Sequence, residues 1–269
     1  MGALPHTTCL ICCLPRSGSW LLARGLQQTG LAGRPEEYFW DALRPFYARR
    51  WGMHPRWPQE RFMRAAMGAG TSVNGVFGAK LHWFQLQQLL PRLRRMSGPD
   101  PISPARLMER HFPAPRYIWL VREDKVRQAI SYEAALATGE WWKGRMRQRA
   151  APRVTNIDYS GIERLEELLV RHEAQWAHYF SNSGLRPLVV TYEELSCNYA
   201  SVVRWVLRHL NVELPHGFDV GKPPLEKQSS GRTDAVVQQY LTFQRATRRP
   251  GPAPMFGHRP EFHEQLTPA

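Results

Sequence analysis

Long apolar runs are absent from this 269-residue chain. None approaches the roughly 20 residues that a membrane-spanning helix needs, which excludes stable insertion into a bilayer by a helix. The opening MGALPHTT holds no Lys or Arg, and the apolar run behind it stops at Pro15 and Arg16, so no secretory leader is expected. His6 stands where a myristoylation signal wants Ser or Thr. A cytoplasmic protein is the expectation. Lysine is scarce, 5 residues against 31 Arg, and acidic residues number only 23, leaving a net charge of +13. Such a field favours anionic ligands. No zinc-finger, RRM or basic-zipper pattern accompanies it, so nucleic acid is not an expected partner. Cysteine is also rare. Cys9 and Cys12 have Cys-x-x-Cys spacing, but TCLICCLP reads as a strand, where positions three apart point to opposite faces. No second Cys/His pair completes a metal site, so no metal is expected. Cys9, Cys12, Cys13 and Cys197 read as reduced thiols, the first three as small buried hydrophobes.

What is present is an alternation. Residues 7–14, 73–81, 116–121 and 186–192 read as apolar strands, and 19–30, 124–138, 162–180, 199–211 and 233–245 as helices. Shorter helices are expected over 35–50 and 58–70, and another around 84–96, before a Pro/Ser-rich loop at 97–105. Four apolar strands separated by helices predict one α/β domain with a central parallel sheet covered on both faces. That domain is expected to span 1–249, with 250–269 a Pro-rich, poorly ordered tail.

CCLPRSGSWLLARG, residues 12–25, concentrates the chemistry. A buried strand ends in a small-residue turn and a helix begins at once, the arrangement that presents bare amides to an anion. The triphosphatase pattern G-x-x-x-x-G-K-[ST] does not occur, nor does the G-x-G-x-x-G of dinucleotide folds. No Cys stands six positions before Arg16, as a cysteine phosphatase would require.

P-[KR]-[ST]-G-[ST] after a first strand resembles the 5′-phosphosulfate loop of sulfotransferases that use 3′-phosphoadenosine 5′-phosphosulfate (PAPS). The resemblance gives Arg16, Ser17, Gly18, Ser19 and Trp20 the 5′-phosphate, with Arg16 where many members carry Lys. RYIWLVREDKVRQAIS resembles the family's 3′-phosphate motif and implies Arg122 and Ser131, nine apart where eight is usual. VVTYEEL (189–195) matches a strand-to-helix stretch of these enzymes and reads as structural. Most similar is the bacterial trehalose sulfotransferase family, over about residues 7–245. GLAGRPEEYF, NGVFGAKLHW and PLEKQSSGRTDAVVQQY resemble its successive motifs, the last bringing Lys227 and Arg232 to the nucleotide. A sulfotransferase fold of P-loop type is implied, and a homodimer is allowed.

Sulfuryl transfer to a hydroxyl benefits from a positioned base. From the residues alone Glu36, Glu37, His82 and His111 all remain open; the family motif selects Glu37. The plain alternative for Glu37 is a helix N-terminal carboxylate behind Pro35. Arg16 and Lys80 are the candidate cations for charge developing on the leaving group. His82, Trp83 and Trp141, with Trp142 beside it, are candidates to line an acceptor pocket. Lys143, Arg145, Arg147, Arg149 and Arg153 form a basic cluster after the 3′-phosphate helix. The expected acceptor is a sugar-containing small molecule. A P-loop kinase or nucleotidase, and a nucleotide- or sugar-binding protein without catalysis, are the competing classes.

Overall fold

The computed structural model describes residues 5–54, 56–139, 141, 157–225 and 231–247. Four strands, β1 (Thr7–Cys13), β2 (Val76–His82), β3 (Pro115–Val121) and β4 (Leu188–Thr191), form one sheet in the order β2-β1-β3-β4. All three pairings are parallel, with Leu10 opposite Ala79 and Tyr117, and Leu120 opposite Val190. The helices are α1 (Ser19–Thr29), α2 (Arg44–Arg50), α3 (Gln59–Gly70), α4 (Trp83–Ser97), α5 (Pro104–His111), α6 (Lys125–Thr138), α7 (Tyr159–Asn182), α8 (Tyr192–Cys197), α9 (Tyr199–His209) and α10 (Gly231–Ala246). Parallel strands need crossover connections, and these helices supply them on both faces.

Two cores result. Cys9, Ile11 and Cys13 of β1 join Leu22 and Leu26 of α1 and Val202, Val206 and Leu207 of α9 on one face. Leu10 and Cys12 face the other way, into a larger core with Phe62, Leu89, Phe112, Trp176 and Tyr240. The strand period of two therefore separates Cys9 from Cys12, and burial pushes the Cys9 thiol up to about 12. Trp176 anchors the larger core: its indole stacks on Phe180 at 5.4 Å and its Nε1 donates to the Cys13 carbonyl at 3.3 Å.

The predicted helix over 35–50 is corrected. Only its second half is helical, a single 3₁₀ turn at Asp41–Leu43 leading into α2. Residues before it run extended along β2, with Glu36 bridged to Ala79 and its carbonyl accepting the Lys80 amide at 2.9 Å. Gly33 makes this seating feasible. Its φ is +71°, and a Cβ there would lie 2.3 Å from the Gly78 nitrogen. β2 starts at Val76 because Ser72 and Gly75 close a turn just before it. The helix α5 falls within and beyond the expected loop; Ser103 caps it, accepting from the Arg106 amide at 3.3 Å, and Pro104 opens it. Among the described residues no helix is long and apolar enough to cross a membrane. Trp142, the basic cluster at 143–153, Lys227 and the tail at 250–269 lie outside the described residues.

Candidate active site

β1 ends at Cys13, and residues 14–18 turn back before α1. Ser17 is fully buried and closes the turn through its hydroxyl, which donates to the Leu14 carbonyl at 2.8 Å. Arg16 has φ +63°, and Gly18, at φ +82°, is the residue preceding α1. A side chain at Gly18 would collide with the Tyr192 ring, 2.5 Å from the position of a Cβ. No side chain caps α1. The amides of Ser19 and Trp20 have no carbonyl one turn back, so the loop presents donors and the positive end of the helix dipole.

Two guanidinium groups converge on this loop. Arg122 follows β3, donates from Nη1 to the Arg16 carbonyl at 3.2 Å, and lies over the Tyr192 ring at 4.6 Å. Its Nε is buried and meets no acceptor. Arg16 donates through Nε to Ser131 Oγ at 2.9 Å and through Nη1 to the Trp141 carbonyl. Burial first, and then the Arg122 charge, lower the Arg16 pKa. Two part-buried cations held together beside an open helix N-terminus favour an anion between them.

The second half of the site is a buried carboxylate. Adjacent residues on extended backbone point to opposite sides, and that decides between the two glutamates. Glu36 turns toward Tyr47, which donates to it at 3.1 Å, and toward Arg50 at 3.6 Å and Arg24 at 4.0 Å. Glu37 turns toward the sheet end and is 7% exposed. Its Oε1 lies 2.7 Å from Lys80 Nζ and 3.7 Å from His82 Nε2, and its Oε2 accepts from Gln85 Nε2 at 2.6 Å. Lys80, 1% exposed, also reaches Ser19 Oγ at 3.4 Å and lies 3.9 Å over the Trp20 ring. One ammonium thus spans the carboxylate and the anion loop.

Burial by itself would raise the Glu37 pKa, but Lys80 and His82, through charge and hydrogen bonding, hold it well below the usual carboxylate range. Burial likewise opposes charge on His82; the Cys13 thiol and the Glu37 carboxylate outweigh it and lift the imidazole to about 9. The His82 Nδ1 lies 3.5 Å from Cys13 Sγ.

The structure gathers Arg16, Ser17, Gly18, Ser19, Trp20, Arg122, Ser131, Lys80, Glu37 and His82 at the carboxyl ends of β1, β2 and β3. Ser131 reaches the group through Arg16. Trp141 joins by its carbonyl, while its ring sits 5.9 Å from Tyr132. Trp83 is partly buried and packs its indole edge-on against Trp176 of the larger core at 5.1 Å. His111 is elsewhere, 2.8 Å from Ser97 Oγ. Arg232 stands in the first turn of α10. The reading of Glu37 as a helix N-terminal carboxylate also fails, because no helix begins there; the next helical turn starts at Asp41.

Sequence reasoning missed Gln85, Trp40 and Phe84. Gln85 is fully buried; its Oε1 accepts the His82 amide at 3.0 Å while its amide nitrogen serves Glu37. His-x-x-Gln at the start of a helix is the spacing of a capping box, a signal visible in the chain. Phe84 stacks on His82 at 5.7 Å and meets Trp40 edge-on at 5.9 Å. Trp40 is fixed by a turn in which its amide donates to the Glu37 carbonyl at 3.2 Å.

An anion loop at the open end of a parallel sheet, with a buried carboxylate one lysine away, defines an α/β enzyme of the group-transfer kind. The Stf0 sulphotransferase family model matches residues 8–242, and the chain belongs to that family. It is 29% identical over 267 residues to a trehalose 2-sulfotransferase of Mycolicibacterium smegmatis, covering 87% of this chain and 94% of the relative. A trehalose 2-sulfotransferase of Mycobacterium tuberculosis is 27% identical over 262 residues, covering 86% and 93%. Among solved structures, a sulfotransferase from Alicyclobacillus acidocaldarius superposes with a TM-score of 0.46 at 15% identity, covering 93% of this chain and 98% of that one.

Proposed function

We propose that this sulfotransferase moves the sulfuryl group of PAPS to a hydroxyl of a sugar-containing small molecule, with Glu37 as the base. The observation that carries the reading is Lys80, which sits 2.7 Å from Glu37 Oε1 and 3.4 Å from Ser19 Oγ. A cation that spans the loop and the carboxylate supports this reading, because sulfuryl transfer needs fixed positive charge for the leaving group and a nearby proton acceptor.

The residues present suit a nucleotide with two separate phosphate groups. The open start of α1 serves one, through Arg16 and the amides of Ser19 and Trp20. Arg122, with its buried and unpartnered Nε, serves the other, and Ser131, Lys227 and Arg232 complete the set by family resemblance. PAPS supplies the activated sulfuryl group; this chain supplies the fixed charge, the orientation and the proton acceptor. Glu37 is ionised throughout the neutral range. Any anion that draws Lys80 toward the loop loosens the pair and raises the carboxylate's basicity.

The mycobacterial relatives are named for transfer to trehalose, which supports a carbohydrate acceptor. Trp40 and Phe84 beside Glu37 offer aromatic faces of the sort that pack on sugar C–H groups. Incubation with PAPS and a panel of trehalose, simple glucosides, glycolipid head groups and phenols, read by mass spectrometry, tests the reading. A sulfate-sized gain on a sugar is expected; transfer to a phenol and to no sugar overturns the acceptor class.

A further inference from the structure

A second lysine–carboxylate pair joins a part-buried lysine to a buried glutamate. Lys125, the first residue of α6, donates from Nζ to Glu173 Oε2 of α7 at 2.6 Å and to the carbonyl of Arg122. Glu173 is 5% exposed and lies in α7, the helix that packs on the larger core. The backbone next to Arg122 is held from the other side as well. Glu193 of α8 accepts the amides of Glu123 at 3.1 Å and Asp124 at 3.4 Å. The turn that carries Arg122 is therefore held by three hydrogen bonds to two consecutive peptide groups, 122–123 and 123–124.

We propose that Lys125 and Glu173 are positioning residues that fix the aim of Arg122, and through it the discrimination of a 3′-phosphorylated nucleotide from its 5′-monophosphate counterpart. The inference rests on the reading of Arg122 as a 3′-phosphate ligand. Its physical basis is preorganisation. A guanidinium fork binds a phosphate well only when its plane is set beforehand, and an arginine at the start of a loop owes that setting to its own main chain. Burying an ion pair here is costly in stability compared with apolar packing, whereas the lysine's bond to a main-chain carbonyl adds geometry that apolar residues would not provide.

Titration calorimetry with adenosine 3′,5′-bisphosphate and with 5′-AMP separates the cases, the ratio of the two affinities being the readout. The wild-type chain is expected to prefer the bisphosphate, and Arg122→Ala to lose that preference. Glu173→Gln, which keeps shape and bulk, and Lys125→Met are expected to lower the ratio by about tenfold, which is about 1.4 kcal/mol, while 5′-AMP affinity stays near the wild-type value. Lys125→Arg, which retains the charge and the donors, is expected to restore part of the ratio. A role in stability alone would lower the melting temperature and weaken both nucleotides alike. A full ratio in Glu173→Gln alongside a lost ratio in Arg122→Ala overturns the positioning role and leaves the nucleotide reading standing. No preference in the wild-type chain overturns the 3′-phosphate reading, and the positioning role with it.

Discussion

Two lysine–carboxylate pairs of almost equal length occupy this molecule, each with a buried carboxylate, and they differ in character. In Lys80–Glu37 the nitrogen and oxygen are 2.7 Å apart, and in Lys125–Glu173 they are 2.6 Å apart. Burial pushes both carboxylates up. Glu37 nevertheless ends well below its ordinary range, because Lys80 and His82 both face it. Glu173 ends above its ordinary value, since burial prevails over Lys125 and the Glu193 carboxylate adds to it. The company around a buried carboxylate, rather than its depth, decides its charge. The first pair holds its charge beside the loop after β1, where Lys80 also reaches Ser19. The second ties a helix to a main-chain carbonyl.

The sharpest way to break the comparison is to neutralise one carboxylate at a time. Glu37→Gln is expected to lower sulfuryl transfer by ~10²–10⁴ while nucleotide binding persists; Glu36→Gln, on the Arg24 and Arg50 side, should cost far less. Steady-state turnover and calorimetry on the same samples measure both. Glu37→Gln also leaves two buried cations uncompensated, so it should lower the melting temperature more than Glu173→Gln does at neutral pH. The reverse order would mean that the two pairs are wrongly contrasted.

The pH dependence of stability sharpens it next. His82 is raised from 6.5 to about 9 in the fold. Its contribution, up to about 3 kcal/mol, is therefore fully present below pH 6.5 and is lost as pH climbs through about 9. Glu37 works at the other end: its contribution is present above 4.5 and disappears as pH falls through its depressed folded value. Denaturant midpoints should fall between pH 6.5 and 9 in the wild-type chain and stay flatter in His82→Asn.

A smaller effect is expected at Arg122, the residue to which the second pair is tied. Adenosine 3′,5′-bisphosphate should raise the melting temperature more than 5′-AMP does, and Arg122→Ala should remove most of the difference. A charge-assisted contact of this kind contributes about 1.5–3 kcal/mol. Equal shifts for the two nucleotides in the wild-type chain would contradict the assignment. The smallest change is expected from Phe84→Ala, since an aromatic contact adds only about 0.5–1.5 kcal/mol. Acceptor KM should rise a few-fold with donor KM unchanged, and a change in donor KM instead would move Phe84 to the nucleotide side.

Much of this was legible along the chain. TCLICC and RYIWLV declare buried strands by composition, Gly30 marks the end of α1, and PRSGS marks the tight strand-to-helix turn without tertiary help. Those features depend on neighbours in sequence: side-chain period, capping and φ freedom act over a few residues. Trp83 and Phe84 show where that information stops. They are adjacent aromatics at one helix start, yet one packs on Trp176 and the other stacks on His82. Helical rotation separates them, and only the positions of α7 and β2 say which face is core.

Glutamates 36 and 37 mark the same boundary. The sequence determined that two adjacent carboxylates follow Pro35 and that a lysine ends an apolar strand. The tertiary structure decided which carboxylate meets that lysine, through the bond from the Lys80 amide to the Glu36 carbonyl and the close seating of Gly33 on Gly78. A slip of one residue in that register would exchange the two side chains, because extended backbone alternates faces at every step.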